Sequence, residues 1–503
     1  MGSGQRTKDE RRTTNVTQPS SFVFRPSSAI GVFRSPDRLA WVVVLLGAVL
    51  RLYNLTGMGL WIDEGYTIMF GRMSWADVLG LNGAYDSHPP LYFASAKLFG
   101  LAVPELVAGR LVSFVCGTLT LPVLYLLARR VAGGWIALAA TFVLTISPLH
   151  IWYSQEARMY VPSMLFVAAS YWALVEFRHV PQRKWAVLYG LSVLAAMYFS
   201  YSSLYALAPQ AILLTWLLRQ YRRAALPLLI ALGLAIAAYL PWVPQWFSAI
   251  EEADPFRVTY LGVTPQKVGT QLLEITGLAD RGFYLSPSAL PWERRPAFYW
   301  IAGLSALLVA LAGVAALAKR SSRALILVLV MWAGTVLTAI GLSLISPGFA
   351  SRTTLYALLG WSILAGAALV GIKGIGRWVS AVALAGSALV ILYSVVSLGL
   401  IYTQAYKQDW ASLATDVASI APSAPDVLIV RPIDSTIIDA YKPGVLDGHF
   451  VEDPVRVTGD EVWFPYHDTP RFAPYHEQLR ALGYERIRHQ YYYNPLYLDL
   501  YAR

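Results

Sequence analysis

The stretch "PPLYFASAKLFGLAV", Pro89 to Val103, decides how this chain is threaded, because counting it as a membrane span moves every later loop to the other side. Around it lie 503 residues that are 56% apolar and 14% charged, with 17 Trp and 30 Tyr. The apolar residues gather in windows of about 17 to 25 that carry almost no charge, the pattern of a polytopic membrane protein. The windows fall at 39–55, 105–128, 132–148, 158–177, 184–200, 203–218, 224–241, 298–317, 323–345, 353–371 and 377–401, which predicts about eleven transmembrane helices. The single cysteine, Cys116, sits inside one of them, so no intramolecular disulfide can form. The net charge of +10 is spread over short clusters between the windows, which suits loop orientation better than nucleic-acid binding.

Those clusters arbitrate the threading. If Pro89–Val103 does not cross, then Arg129–Arg130, Arg178–Lys184, Arg219–Arg223, Lys319–Arg323 and Lys373–Arg377 share a side with the Arg-rich N-terminus. If it crosses, all five face outward, against the positive-inside tendency. The stretch therefore reads as an interfacial or re-entrant helix. A second amphipathic stretch, "TIMFGRMSWADVL" from Thr67 to Leu79, joins it.

Three regions follow. Residues 1–38 are polar and rich in Arg, Ser and Pro, and read as a disordered cytoplasmic tail. Residues 39–402 form an all-α transmembrane body with outer loops at 56–105, 149–157 and 242–297. Residues 403–503 change character: "DWASLATDVASI" is helical, while "VLIV" at Val427–Val430 and "YERIRHQYYY" read as strands. They predict a small external α/β domain. The expected location is a plasma (inner) membrane, with the N-terminus cytoplasmic and the C-terminal domain outside.

The chemistry collects on the predicted outer face. "GLWIDEGYT", Gly59–Thr67, carries Asp63 and Glu64. "DSHPPLY" brings Asp86, and His88 just before a Pro-Pro helix start. "HIWYSQEARMY" supplies Gln155, Glu156, Arg158 and Tyr160, Arg352 opens a span after "SPGFAS", and Arg51 lies near the outer end of the first span. Each has a plain alternative: a solvated carboxylate pair, a helix-capping histidine, arginines snorkelling at span ends, and an aromatic belt. Their convergence on one face of spans nearly free of charge favours a site, with arginines at the depth of lipid phosphates.

"WIDEGYT", "HPPLYF" and "SQEARMY", in that order, resemble the outer-loop motifs of the bacterial protein-mannosyltransferase-like and aminoarabinose-transferase-like membrane glycosyltransferases of the GT-C fold. The layout resembles that family over roughly residues 38–402, and the specific motifs lie within Arg51–Tyr160. The resemblance implies a hexosyl- or pentosyltransferase using a polyprenyl-phosphate sugar donor and a glycolipid, polysaccharide or protein acceptor. It gives Asp63 the role of general base, Glu64 a supporting or acceptor-holding role, and Arg158, with Arg352 and Arg51, the phosphate. A single carboxylate base without a covalent sugar intermediate implies inversion at the anomeric carbon. His88, Gln155, Glu156 and Tyr160 join as substrate-binding residues.

In the aminoarabinose branch the resemblance implies a metal held by a first-loop carboxylate and a histidine of the long loop. Here the first-loop position is His88, and 242–297 has no histidine but Glu251, Glu252, Asp254, Glu274, Asp280 and Glu293. A divalent metal on His88 and Glu156 is thus an open expectation without spacing to support it. The rival reading is a transporter, flippase or lipid-binding scaffold. Ionisable residues at span ends and the lack of an internal repeat weigh against transport.

Overall fold

The computed structural model describes residues 35–82, 88–251, 261–277, 296–371, 377–403, 407–420, 426–448, 450–467, 472–492 and 496–503. Its body is a bundle of apolar helices. Six of them, among the described residues, are long and apolar enough to cross a membrane: Glu105–Ala132, Tyr160–His179, Leu226–Ser248, Trp300–Arg320, Ser322–Ser343 and Ala383–Thr403. Two bent pairs raise the number to eight. Three further windows of the expected eleven hold helices of 17, 17 and 15 residues, Pro36–Leu52, Arg183–Phe199 and Ala357–Gly371. These are shorter than the roughly 20 residues of a straight crossing.

The chain enters through α1, Pro36–Leu52, capped by the Ser35 hydroxyl. It then turns into α2, Ile62–Arg72, and the single turn α3, Trp75–Val78. The Pro89–Val103 stretch folds as α4, Leu91–Phe99. At 1.5 Å per residue its 9 residues span about 14 Å, less than half of a roughly 30 Å hydrocarbon core. Lys97 on α4 donates to the Gly71 and Met73 carbonyls, which ties α4 to the end of α2.

The long helix α5, Glu105–Ala132, links the two ends of the bundle. At its start Glu105 pairs with Arg72 of α2. At its finish Arg129 pairs with Asp37 at the start of α1, Arg130 pairs with Glu176, and Gly133 meets Arg320. Arg178 and Arg323 lie over the same Trp216 ring. The basic clusters that arbitrated the threading therefore meet at the end of α5 away from Asp63, save for 373–376, which lie outside the described residues.

The second motif loop is not the simple turn its sequence suggested. Helix α6, Gly134–Thr145, is followed by α7, Pro148–Ser154, at an angle of 62°. Ser147 caps α7 and Pro148 occupies its first position, so the break is written locally. α7 is buried throughout, and the chain turns into α8, Tyr160–His179.

The C-terminal residues form the expected α/β unit. Its five strands are β1 Asp426–Leu428, β2 Phe450–Val451, β3 Glu461–His467, β4 Glu485–Tyr492 and β5 Leu496–Ala502, in the order β2-β1-β3-β5-β4. β1 pairs in parallel with β2 and β3, and β5 runs antiparallel to β3 and β4. One sheet face, with Trp463, Leu496 and Leu498, packs on the helices Trp410–Ile420 and Pro432–Tyr441. Those helices bring the domain onto α2, because Leu60 and Ile68 share the same core.

Candidate active site

Asp63 and Glu64 stand in the first turn of α2, where carboxylates oppose the positive end of the helix dipole. Read as a loop, they would both face solvent. On a helix they diverge by about 100°, and the structure separates them. The Asp63 side chain is 24% exposed and its Oδ2 lies 3.4 Å from Nη1 of Arg352, itself 23% exposed. Glu64 is fully buried.

Glu64 accepts from Arg110 through both oxygens at 2.9 Å, from Lys407 Nζ at 2.8 Å and from the Ala157 N–H at 2.9 Å. Burial alone would raise its pKa, but the charges and hydrogen bonds of Arg110 and Lys407 outweigh that and lower it to about 2. Glu64 is thus a locked anion, and of the two expectations for it, support of Asp63 or a hold on the acceptor, this burial suits the first. Arg110 also donates to the carbonyls of Leu55, Met58 and Gly59, so one guanidinium fixes the approach to α2.

The "SQEARMY" segment lies along α2. The Thr67 hydroxyl donates to the Ala157 carbonyl at 2.9 Å, and Arg158 Nη1 donates to the Asp63 carbonyl at 3.0 Å. Gly109 makes this approach possible: a Cβ there would meet Ala157 at 2.8 Å and Thr67 at 2.9 Å. Arg158 Nη2 reaches His88 Nε2 at 3.5 Å, and Arg352 lies 5.9 Å from the Tyr160 ring centre. Asp63, His88, Arg158, Tyr160 and Arg352 therefore come together, as expected. Asp86 lies outside the described residues.

Arg51, Gln155 and Glu156 are placed differently. Arg51 is fully buried and donates to the carbonyls of Gly47, Leu144 and Thr145 and to His150 Nδ1. It closes the carbonyl end of α6 and does not stand at a phosphate depth open to lipid. Gln155 is buried and donates to the Tyr53 and Arg51 carbonyls. Glu156 is fully buried, and neither carboxylate oxygen has a hydrogen-bond partner among the described residues. Burial first, then the neighbouring carboxylates Glu64 and Asp63, raise its pKa to about 7 against the pull of Lys407 and Arg158.

These residues do not fit a metal. His88 directs Nε2 at the Arg158 guanidinium, and among the described residues no three metal-ligating side chains converge. Of the long-loop acids, Glu252, Asp254, Asp280 and Glu293 lie outside the described residues, and Glu274 is buried in the helix Pro265–Thr276. Reasoning from sequence missed Arg110, Lys407 and Tyr441, whose hydroxyl accepts from the Leu60 N–H at 2.8 Å. Arg110 carried a signal, as a charge inside an apolar window. Lys407 and Tyr441 carried none.

Residues 87–245 match the dolichyl-phosphate-mannose-protein mannosyltransferase family. No curated protein sequence matches the chain. Among solved structures the fold is similar to ArnT from Cupriavidus metallidurans bound to undecaprenyl phosphate, at 14% identity over 92% of this chain and 97% of that one, with a TM-score of 0.54. The apo form of the same enzyme matches at 14% identity over 92% and 98%, also with a TM-score of 0.54. The Archaeoglobus fulgidus oligosaccharyltransferase tethered with an acceptor peptide matches at 12% identity over 82% and 63%, with a TM-score of 0.50. The chain is a multi-pass membrane protein whose fold is similar to that of the Cupriavidus enzyme, and its residues 87–245 match the mannosyltransferase family's model.

Proposed function

We propose that this GT-C-fold chain is an inverting glycosyltransferase that moves a sugar from a polyprenyl-phosphate donor to an acceptor at the outer face of the plasma membrane. The observation that carries the reading is the separation of the two motif carboxylates: Glu64 is locked among cations, whereas Asp63 is partly exposed against Arg352. The basic clusters at the far end of α5 support an outward-facing site by the positive-inside tendency. The undecaprenyl phosphate of the Cupriavidus enzyme supports a lipid-linked donor here.

In this reading the acceptor hydroxyl attacks the anomeric carbon from the face opposite the phosphate. Asp63 takes the hydroxyl proton as the new C–O bond forms. The bond from the anomeric carbon to the phosphate oxygen breaks, and its electron pair leaves on the polyprenyl phosphate. Arg352 and Arg158 offer planar cations to that developing charge, with His88 and Tyr160 beside them. The test is transfer of labelled sugar from polyprenyl-phosphate donors by the purified protein in vesicles, with donor and product resolved. Transfer abolished in Asp63→Asn and present in the parent supports the reading, and a parent that transfers from no such donor overturns it.

A further inference from the structure

The first turn of α2 is gripped from two sides. From the membrane body come Arg110 and the Ala157 N–H. From the C-terminal part come Lys407, whose Nζ lies 2.8 Å from Glu64 Oε2, and Tyr441, whose hydroxyl accepts from the Leu60 N–H at 2.8 Å. The two helical sides also touch directly. A Cβ on Gly65 would stand 2.5 Å from Ile437, so the helix Pro432–Tyr441 rests on bare backbone beside Glu64. Asp439 of the same helix pairs with Arg72 at the far end of α2. Both ends of the helix that bears Asp63 are thus held from outside the membrane body.

We infer that Lys407 and Tyr441 are positioning residues for sugar transfer, and that the C-terminal domain sets where the Asp63 carboxylate stands. The inference rests on the reading of Asp63 as the base. Lys407 is almost wholly buried and stands 5.6 Å from the Trp152 ring centre, with Glu64 as its ion-pair partner. Its removal leaves Glu64 held by Arg110 and Ala157 alone, at one edge. Tyr441 fixes the residue two positions before the helix starts, so losing its hydroxyl frees the entry to the same turn. Displacements of about 1 Å at a reacting group can cost on the order of 100-fold in rate while leaving substrate affinity alone.

The test compares Lys407→Met and Tyr441→Phe with the parent in the full-length protein. Sugar transfer is measured as separate kcat and donor KM, and amide hydrogen exchange is followed over residues 61–67. The expected result is a kcat lower by about 10- to 100-fold with donor KM within about twofold, and faster exchange in 61–67. Wild-type kcat and exchange in both variants overturn the inference, as does a loss confined to donor KM. If Lys407→Met does not fold, Tyr441→Phe, which removes one oxygen, decides by the same two readouts. A parent that transfers no sugar sinks the glycosyltransferase reading instead, and the exchange data still decide whether these side chains hold the helix.

Discussion

Arg352 Nη1 stands 3.4 Å from Asp63 Oδ2, although 289 residues separate the two in sequence. The contact is longer than a well-formed charge-assisted hydrogen bond. It brings a cation to the edge of a partly exposed carboxylate without enclosing it. At 3.4 Å no substrate atom fits between the two groups, so in the proposed reaction the donor phosphate would compete with Asp63 for Arg352.

Replacing Asp63 with Asn preserves the shape of the side chain and removes the proton acceptor. Transfer should slow by roughly 10²- to 10⁴-fold, the range for a lost general base. Because Asp63 is partly exposed and its ion pair long, the melting temperature in detergent should hold. A variant with parental turnover would take Asp63 out of the mechanism.

Glu64→Gln should behave in the opposite way. It leaves Arg110 and Lys407, both almost fully buried, without their anion. Breaking a buried bridge typically costs about 3–5 kcal/mol, so folded yield and melting temperature should fall sharply. Unchanged melting would show that the Glu64 cluster is hydrated.

Arg352→Lys retains charge and loses the planar fork. Losing one charge-assisted hydrogen bond of about 1.5 kcal/mol raises donor KM roughly tenfold. The same holds for Arg158→Lys, with an added loss of order near Asp63, whose carbonyl Arg158 holds. Donor KM at the parental value in both variants would reduce these arginines to interface anchors.

Glu156 predicts a slope in stability with pH. Its pKa rises from the ordinary 4.5 to about 7, so between those values the folded protein holds a proton that the unfolded chain has released. This contribution is complete below pH 4.5 and fades as pH climbs through about 7. Glu156→Gln, neutral throughout, should flatten that part of the curve. Thermal melts in detergent from pH 5 to 8 read the difference, and parallel curves for parent and variant would contradict it.

Topology can be checked with thiols. Cysteines introduced at Arg129 or Lys319 should be shielded from impermeant reagents in intact cells, since both belong to the basic end of the bundle. A cysteine at Ser286, in a segment outside the described residues, should label. Labelling at position 129 would reverse the orientation.

Much of this was legible in the residues. Apolar windows gave the helical body, the Pro-Pro start gave the short helix α4, and the change of texture after Tyr402 gave the α/β unit. The three motifs named Asp63, His88, Arg158 and Tyr160, which do meet. What misled was adjacency: Asp63 and Glu64 look like one feature in a string, but helical geometry turns them apart, one to a partly exposed position beside Arg352 and one to the interior. Arg51 misled through depth, since a position near a span end does not reveal that α6 carbonyls claim its donors. Lys407 could not be seen at all, because its meaning lies in a partner 343 residues away.

That distance also sets an order in time. The helix bearing Asp63 is made early, but Lys407 and Tyr441 leave the ribosome after every predicted span. Until they arrive, Glu64 has only its membrane-side partners. A nascent chain that already owns every motif residue therefore still lacks two of the contacts on α2, which a later segment supplies.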